Sequence, residues 1–187
     1  MKNAYHFTAN TLRDGRAIPP VGEWLEYDGE IEICKSGLHF SKDPFDALQY
    51  APGNLLHLVE VDEIEHEHDD KGVCRRRRII ATIDAESLLR EFARWCVLQL
   101  LDLWDAPTVV REYLETGDET KRDAAWSAAW SDAWAKAAAR SAAKAAAWDA
   151  AWEAARGAAW EAARSAAREA QRTEFRRRVE AAFEGTI

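Results

Sequence analysis

The sequence predicts an α+β fold: a small antiparallel or mixed N-terminal sheet with packed helices, followed by a long Ala-rich helical arm arranged as a hairpin or coiled coil. Three observations carry this reading. Residues 1–84 hold short β-rich runs and most of the Pro and Gly, apolar residues take up helical spacing from Asp84 onward, and Ala fills 25 of the 47 positions from Ala124 to Ala170. Three segments follow: an α+β module over 1–84, two helices packing on it over 85–117, and an Ala/Trp-rich arm over 118–187.

In the module, Ala4-Tyr5-His6-Phe7-Thr8 reads as a first strand, Trp24 to Tyr27 as a second, and Ile31-Glu32-Ile33 alternates with the two-residue period of a third. Gly37 to Ser41 is a further short strand. Ser41 or Asp43 then caps a helix with Pro44 in its first turn, which runs to Tyr50 and stops at Pro52-Gly53. Leu55 to Val61 and Val73 to Ile83 are rich in β-branched residues and form the two strongest strands, with the acidic stretch Asp62 to Asp70 as their connection.

Asp84 is an N-cap candidate for a helix in which Leu88, Leu89, Phe92, Trp95, Cys96, Leu100, Leu103 and Trp104 follow helical spacing, dense enough to predict a largely buried element. Asp105-Ala106-Pro107 opens a shorter helix with Val109, Val110, Tyr113 and Leu114 inward, and Gly117 closes it. Both are expected on the sheet.

Alanine has the best intrinsic helix propensity, so residues 124–170 are expected to be helical. Trp126, Trp130 and Trp134, then Trp148, Trp152 and Trp160, recur at four-residue steps, which drift by roughly 40° per step on a helix of 3.6 residues per turn. Arg156 and Arg164 interleave with the second Trp set. An unbroken helix from Glu119 to Phe183 would be on the order of 95 Å long, which demands a fold-back or a partner. An Ala-rich face allows two helix backbones to approach closely, giving an antiparallel hairpin or a homodimeric coiled coil. The alternative is a docking surface for another protein, since Trp and Arg are enriched at interface hot spots. Acidic residues along the same helix, Asp132, Asp149, Glu153, Glu161 and Glu169, argue against a membrane-surface role.

Composition narrows the functional classes. Twenty-five basic against 33 acidic side chains leave a net charge of −8, which argues against a nucleic-acid partner, because phosphate contacts need clustered cations. Arg75-Arg76-Arg77-Arg78 alternate faces on a strand and follow an acidic run, so internal pairing is expected. Cys34, Cys74 and Cys96 are an odd, widely spaced set that fits a reducing cytoplasm better than a disulfide framework. No apolar run of about 18 residues is present, and Met1-Lys2-Asn3 leads into no signal-peptide core, so a soluble, unprocessed cytoplasmic chain is expected. His66, His68 and Cys74 are too few for a zinc set, so no metal site is assigned. His57, inside an apolar strand, reads as a core residue with its hydrogen bonds satisfied.

The order Tyr5-His6-Phe7-Thr8, then Gly37-Leu38-His39-Phe40-Ser41, then Ala47 and Tyr50, then Leu55 to Val61, resembles the ADP-ribosyltransferase fold over roughly the first 84 residues. The resemblance implies that His6 holds the nicotinamide ribose, that His39 takes the place of the ring-stacking Tyr, and that Ser41 begins the following helix. NAD would be the cofactor, bound by His6, His39 and Ser41, with His6, His39 and Tyr50 as the catalytic candidates. Phe7 in place of the family's Gly, and the absence of a clear late-strand Glu, where Asp69 or Asp70 stands nearest, point to a non-catalytic relative with no cofactor. The whole arrangement is similar to a group of phage and prophage-encoded proteins in which such a module carries an Ala-rich tail. That likeness implies a bacterial host cell and an accessory binding protein, an inhibitor of a bacterial defence system of the anti-CRISPR kind, working by protein–protein contact. Its contact residues would be Trp126, Trp130, Trp134, Trp148, Trp152, Trp160, Arg156 and Arg164, against a host protein or a second copy. The alternatives are an NAD-dependent ADP-ribosyltransferase and a structural homo-oligomer.

Overall fold

A computed structural model of the chain describes residues 2–99, 101, 105–132 and 150–186, those from 150 to 164 as backbone only. The architecture is α+β, with an antiparallel sheet and several helices. Strands β1 (Lys2–Thr8), β2 (Trp24–Glu26), β3 (Leu38–Phe40), β4 (Leu55–Glu67) and β5 (Gly72–Asp84) form one five-stranded sheet in the order β1-β4-β5-β2, with β3 also paired to β5. Helix α1 (Pro44–Leu48) lies between β3 and β4. The later helices are α2 (Glu86–Leu98), α3 (Thr108–Thr116), α4 (122–132) and α5 (Ala150–Glu184). Tertiary contacts divide the chain into two units, one of residues 1–89 with 172–187, the other of residues 90–171.

The first unit is built on the β4–β5 hairpin. The expected connection from Asp62 to Asp70 is in fact mostly strand: β4 continues to Glu67, and the turn is confined to residues 68–71, closed by the His68 amide donating to the Lys71 carbonyl at 2.8 Å. The acidic residues extend the ladder because most of them meet a cation, Glu67 taking Lys2 and Lys42 and others an arginine across the hairpin. Arg78 pairs with Glu60, Arg76 with Asp62 and Glu26, and Arg75 with Glu65. Cross-strand opposite charges of this kind favour pairing. Ile31-Glu32-Ile33 is not a strand; Glu32 and Ser36 form an isolated bridge around a tight turn, and the Ser36 hydroxyl bonds both the Glu32 amide and the Glu30 carbonyl. Gly72 opposes Phe40 in the ladder, and a Cβ there would come within 2.4 Å of the Phe40 ring, so only glycine lets β3 lie against β5.

One face of the sheet buries Ala4, Val59, Val61, Cys74 and Ile79 together with Leu38 and Phe40, with Ile18, Leu25 and Tyr27 packed on them. Side chains alternate along a strand, so Tyr5, next to Ala4, turns to the other face. There its ring meets Phe183 at 6.4 Å. The C-terminal turns of α5 belong to this unit: Phe175, Val179 and Phe183 are buried, and Phe175 packs edge-on against Phe45 of α1 at 6.2 Å. The structure thus ends the arm sooner than the expected 118–187. The cause is an apolar stripe at four-residue steps flanked by Arg172 and Arg176. Both Arg172 guanidinium nitrogens donate to the buried Asp46 carboxylate at 2.7 Å, and Arg176 pairs with Asp43. Asp43 also caps α1, accepting from the Phe45 amide at 2.8 Å; Ser41 does not serve as the cap.

In the second unit, α3 buries Val110 and Leu114 against Ala106 and Ala125, with Val97, Leu98, Leu101, Val109 and Tyr113 packed around them. These helices therefore share a core with α4. The start of α2 is capped as expected, the Asp84 carboxylate accepting from the Glu86 amide at 2.9 Å. Among the described residues of α2 only Phe92 is buried, with Leu88, Leu89, Trp95 and Cys96 half-buried; the expected burial of Leu100, Leu103 and Trp104 lies outside the described residues. Gly117 ends α3 in the left-handed conformation, φ 68°, its amide donating to the Tyr113 carbonyl at 2.8 Å. No helix of the described residues is long and apolar enough to cross a membrane.

Candidate functional site

Of the sequence candidates, His6, His39 and Ser41 lie on neighbouring strands of the first unit. β1 pairs with β4 so that His6 stands opposite His57, and the Ser41 backbone exchanges hydrogen bonds with Tyr5 at 2.8 and 3.0 Å. Cross-strand partners project to one face. His6, Thr8 and His57 accordingly line one small cavity with Arg77, Leu12, Pro19, Leu25, Val59 and Ile79. Its volume is about 10 Å³, room for about one water or a monatomic ion.

His57 is buried, and both ring nitrogens are engaged: Nε2 with the Thr8 hydroxyl at 2.8 Å and Nδ1 with the Thr82 hydroxyl at 2.7 Å. A neutral imidazole satisfies this pair, donating on one side and accepting on the other. This bears out its reading as a satisfied core residue. Burial, then the charge of Arg77, holds His57 down to about 4, and His6 is pushed well below the usual histidine range by the same two causes, with smaller contributions from His57 and His39. An unfolded histidine titrates near 6.5. Below that pH the unfolded chain takes up a proton that the folded one refuses, so the stability present above about pH 6.5 is lost progressively toward pH 4. His57 alone contributes about 3 kcal/mol to that loss. Urea unfolding followed at pH 7 and pH 4.5 should show this drop, with a smaller drop in His57→Gln; an unchanged midpoint across the range would show that the ring titrates normally.

His39 is committed to its own loop. Its Nε2 accepts from the Cys34 amide at 2.8 Å, the Gly37 backbone hydrogen-bonds the ring, and Cys34 itself sits at φ 70°. The ring braces the tight turn between Ile31 and Leu38. Ser41 is buried by β1. Tyr50 is exposed, and its partners lie at the hairpin turn: its hydroxyl bonds the Asp70 carboxylate and accepts from Lys71 at 3.2 Å, with the Lys71 ammonium 4.9 Å from the ring centre. The structure brings His6 and His39 near each other but gives Tyr50 a separate place.

Sequence reasoning passed over Arg77. Of the four consecutive arginines, Arg75, Arg76 and Arg78 each face a carboxylate, as internal pairing requires, and Arg76 and Arg78 also flank the Trp24 ring at 4.6 and 4.8 Å. Arg77 points inward and is 6% exposed. Strand alternation was the available signal, since Arg77, Ile79 and Ala81 share the buried parity of β5. His66, His68 and Cys74 form no metal set; no group of three metal-capable side chains occurs among the described residues. The Cys74 thiol is buried and pushed up to about 11 by desolvation, which disfavours the thiolate.

In the second unit, Trp126 and Trp130 stack at 6.1 Å with planes 8° apart and remain 70% and 60% exposed. Trp134 and Trp148 lie outside the described residues, and Trp152, Trp160, Arg156 and Arg164 fall on α5 where only the backbone is described.

Residues 2–91 match the family described as a domain of unknown function, DUF7666. The matched segment ends just past Leu89, where the first stretch of the sheet-bearing unit also ends, and it leaves out residues 172–187 that complete that unit. No curated protein and no solved structure matches the chain.

Proposed function

We propose that the chain is a binding protein, an accessory of a phage or other mobile element that inhibits a bacterial defence system by gripping one of its proteins. The observation that carries this is the stacked, solvent-facing pair Trp126 and Trp130. Folding alone would tend to bury two neighbouring indoles, and an exposed aromatic patch is the type of surface that proteins keep for partners. The Trp and Arg positions further along, Trp134, Trp148, Trp152, Trp160, Arg156 and Arg164, extend the same grip in this reading. The sheet-bearing unit then serves as a scaffold. The cavity at His6, about 10 Å³, falls far short of a nicotinamide ring, which favours a scaffold over ADP-ribose transfer from NAD.

Expressed in bacteria that carry a defence system, the chain should restore plating of a restricted phage, and Trp126→Ala/Trp130→Ala should lose that effect at an unchanged cellular level. Restoration by the double variant as full as by the parent would overturn the proposal. So would restoration that survives loss of both indoles but disappears with His6→Ala, the pattern of an NAD-dependent enzyme. Concentration-dependent dimerisation lost in the double variant, with no effect on plating, would instead place the Trp pair in a homo-oligomer.

A further inference from the structure

Arg77 is a cation enclosed in a protein core without an acid to balance it. Its Nη1 donates to the His39 carbonyl, and no carboxylate pairs with it among the described residues, although its neighbours Arg75, Arg76 and Arg78 each have one. The ionisable groups around it are His6, His39 and His57, each with its protonation disfavoured by the Arg77 charge, and the neutral thiol of Cys74. Guanidinium remains charged at neutral pH even so. A buried, unpaired charge is among the costliest features a fold can carry, and structures relieve it with a counter-charge.

The place for one exists. Arg77 lines the small cavity beside His6, Thr8 and His57. Guanidinium N–H, imidazole N–H and a threonine hydroxyl are hydrogen-bond donors, while Leu12, Pro19, Leu25, Val59 and Ile79 close the remaining sides. We propose that Arg77 and His6, with Thr8 and His57 behind them, form a buried site for a single monatomic anion of chloride size. The cavity excludes phosphate, carboxylates and nucleotides by volume. The ion compensates Arg77 and thereby holds the inner face of β1, β4 and β5 together, a role independent of any partner bound by the Trp pair.

The test uses the full chain. At fixed sodium concentration, replacing gluconate by chloride or bromide should raise Tm by several degrees, with saturation, against the general trend in which gluconate stabilises more. Arg77→Met, which removes the charge while keeping an apolar stem of similar length, should abolish the halide response. Should that variant fail to fold, crystals of the parent grown in bromide decide the question by anomalous scattering. A bromide peak in contact with the Arg77 guanidinium and His6 is expected. Equal Tm in chloride and gluconate, a halide response that persists in Arg77→Met, or bromide peaks only on the outer surface would each overturn the proposal.

Discussion

Phe175→Ala should destabilise the sheet-bearing unit by about 3–5 kcal/mol, the usual cost of emptying a phenylalanine site in a core that cannot collapse. Phe175 is fully buried, packs against Phe45 of α1, and is the largest fully enclosed side chain among the described residues. Sequence distance makes the prediction sharp: the substitution lies more than 80 residues beyond the last strand, in a helix whose preceding turns are Ala-rich. Urea unfolding, read by the strand signal in circular dichroism, measures it. A loss below about 1 kcal/mol, the level of an ordinary surface helix position, would show that the C-terminal turns do not complete the core.

The second large effect is expected at Asp46. Its carboxylate takes two parallel hydrogen bonds from Arg172 and a further one from the Gln49 side chain at 3.2 Å, and it is itself buried. The bidentate geometry, together with Asp43 close by, pushes the Arg172 guanidinium above its ordinary range. Removing one partner of a buried pair costs more than removing both. Asp46→Ala should therefore cost about 2–4 kcal/mol, the lower part of the range for buried pairs because Arg172 keeps some solvent and a contact with Asp43. Asp46→Ala/Arg172→Ala should recover part of that loss. A double-mutant cycle with coupling below about 0.5 kcal/mol would put the pair with ordinary surface bridges.

Much of the sheet was legible in the sequence, because its strongest strands advertise themselves locally. Leu55 to Val61 and Val73 to Ile83 carry enough β-branched residues to be read without tertiary context, and Asp84, Pro107 and Gly117 bound their helices by chemistry that acts within a turn. The extension of β4 through Asp62 to Glu67 was illegible for the opposite reason. An acidic run looks like a solvated connection until the arginines that meet it across the hairpin are known. Ile31 to Ile33 has the alternation of a strand but lacks a neighbour to pair with, and the Ser36 hydroxyl claims its backbone first. The role of His39 depends on that turn, so it could not be read ahead of it. The stripe Phe175, Val179, Phe183 was visible as spacing, yet the Ala/Trp repeat before it invited one continuous reading to the end. Arg77 was hidden by its company: in a row of four like residues, only parity separates the buried one from the rest.

Because the sheet and its closing helix are separated by residues 90–171, the unit that contains both is assembled from two distant stretches of chain. A ribosome makes β1 to β5 first and supplies the residues that seal Tyr5 and Phe45 only after some 80 more have been added. Until then, the apolar side of the sheet has no lid, and the nascent chain must carry it exposed. Completion of this unit consequently waits on residues 172–187 even though most of its strands are finished early. The intervening segment sets the delay, and shortening or lengthening it would alter when the unit closes without altering what it closes into.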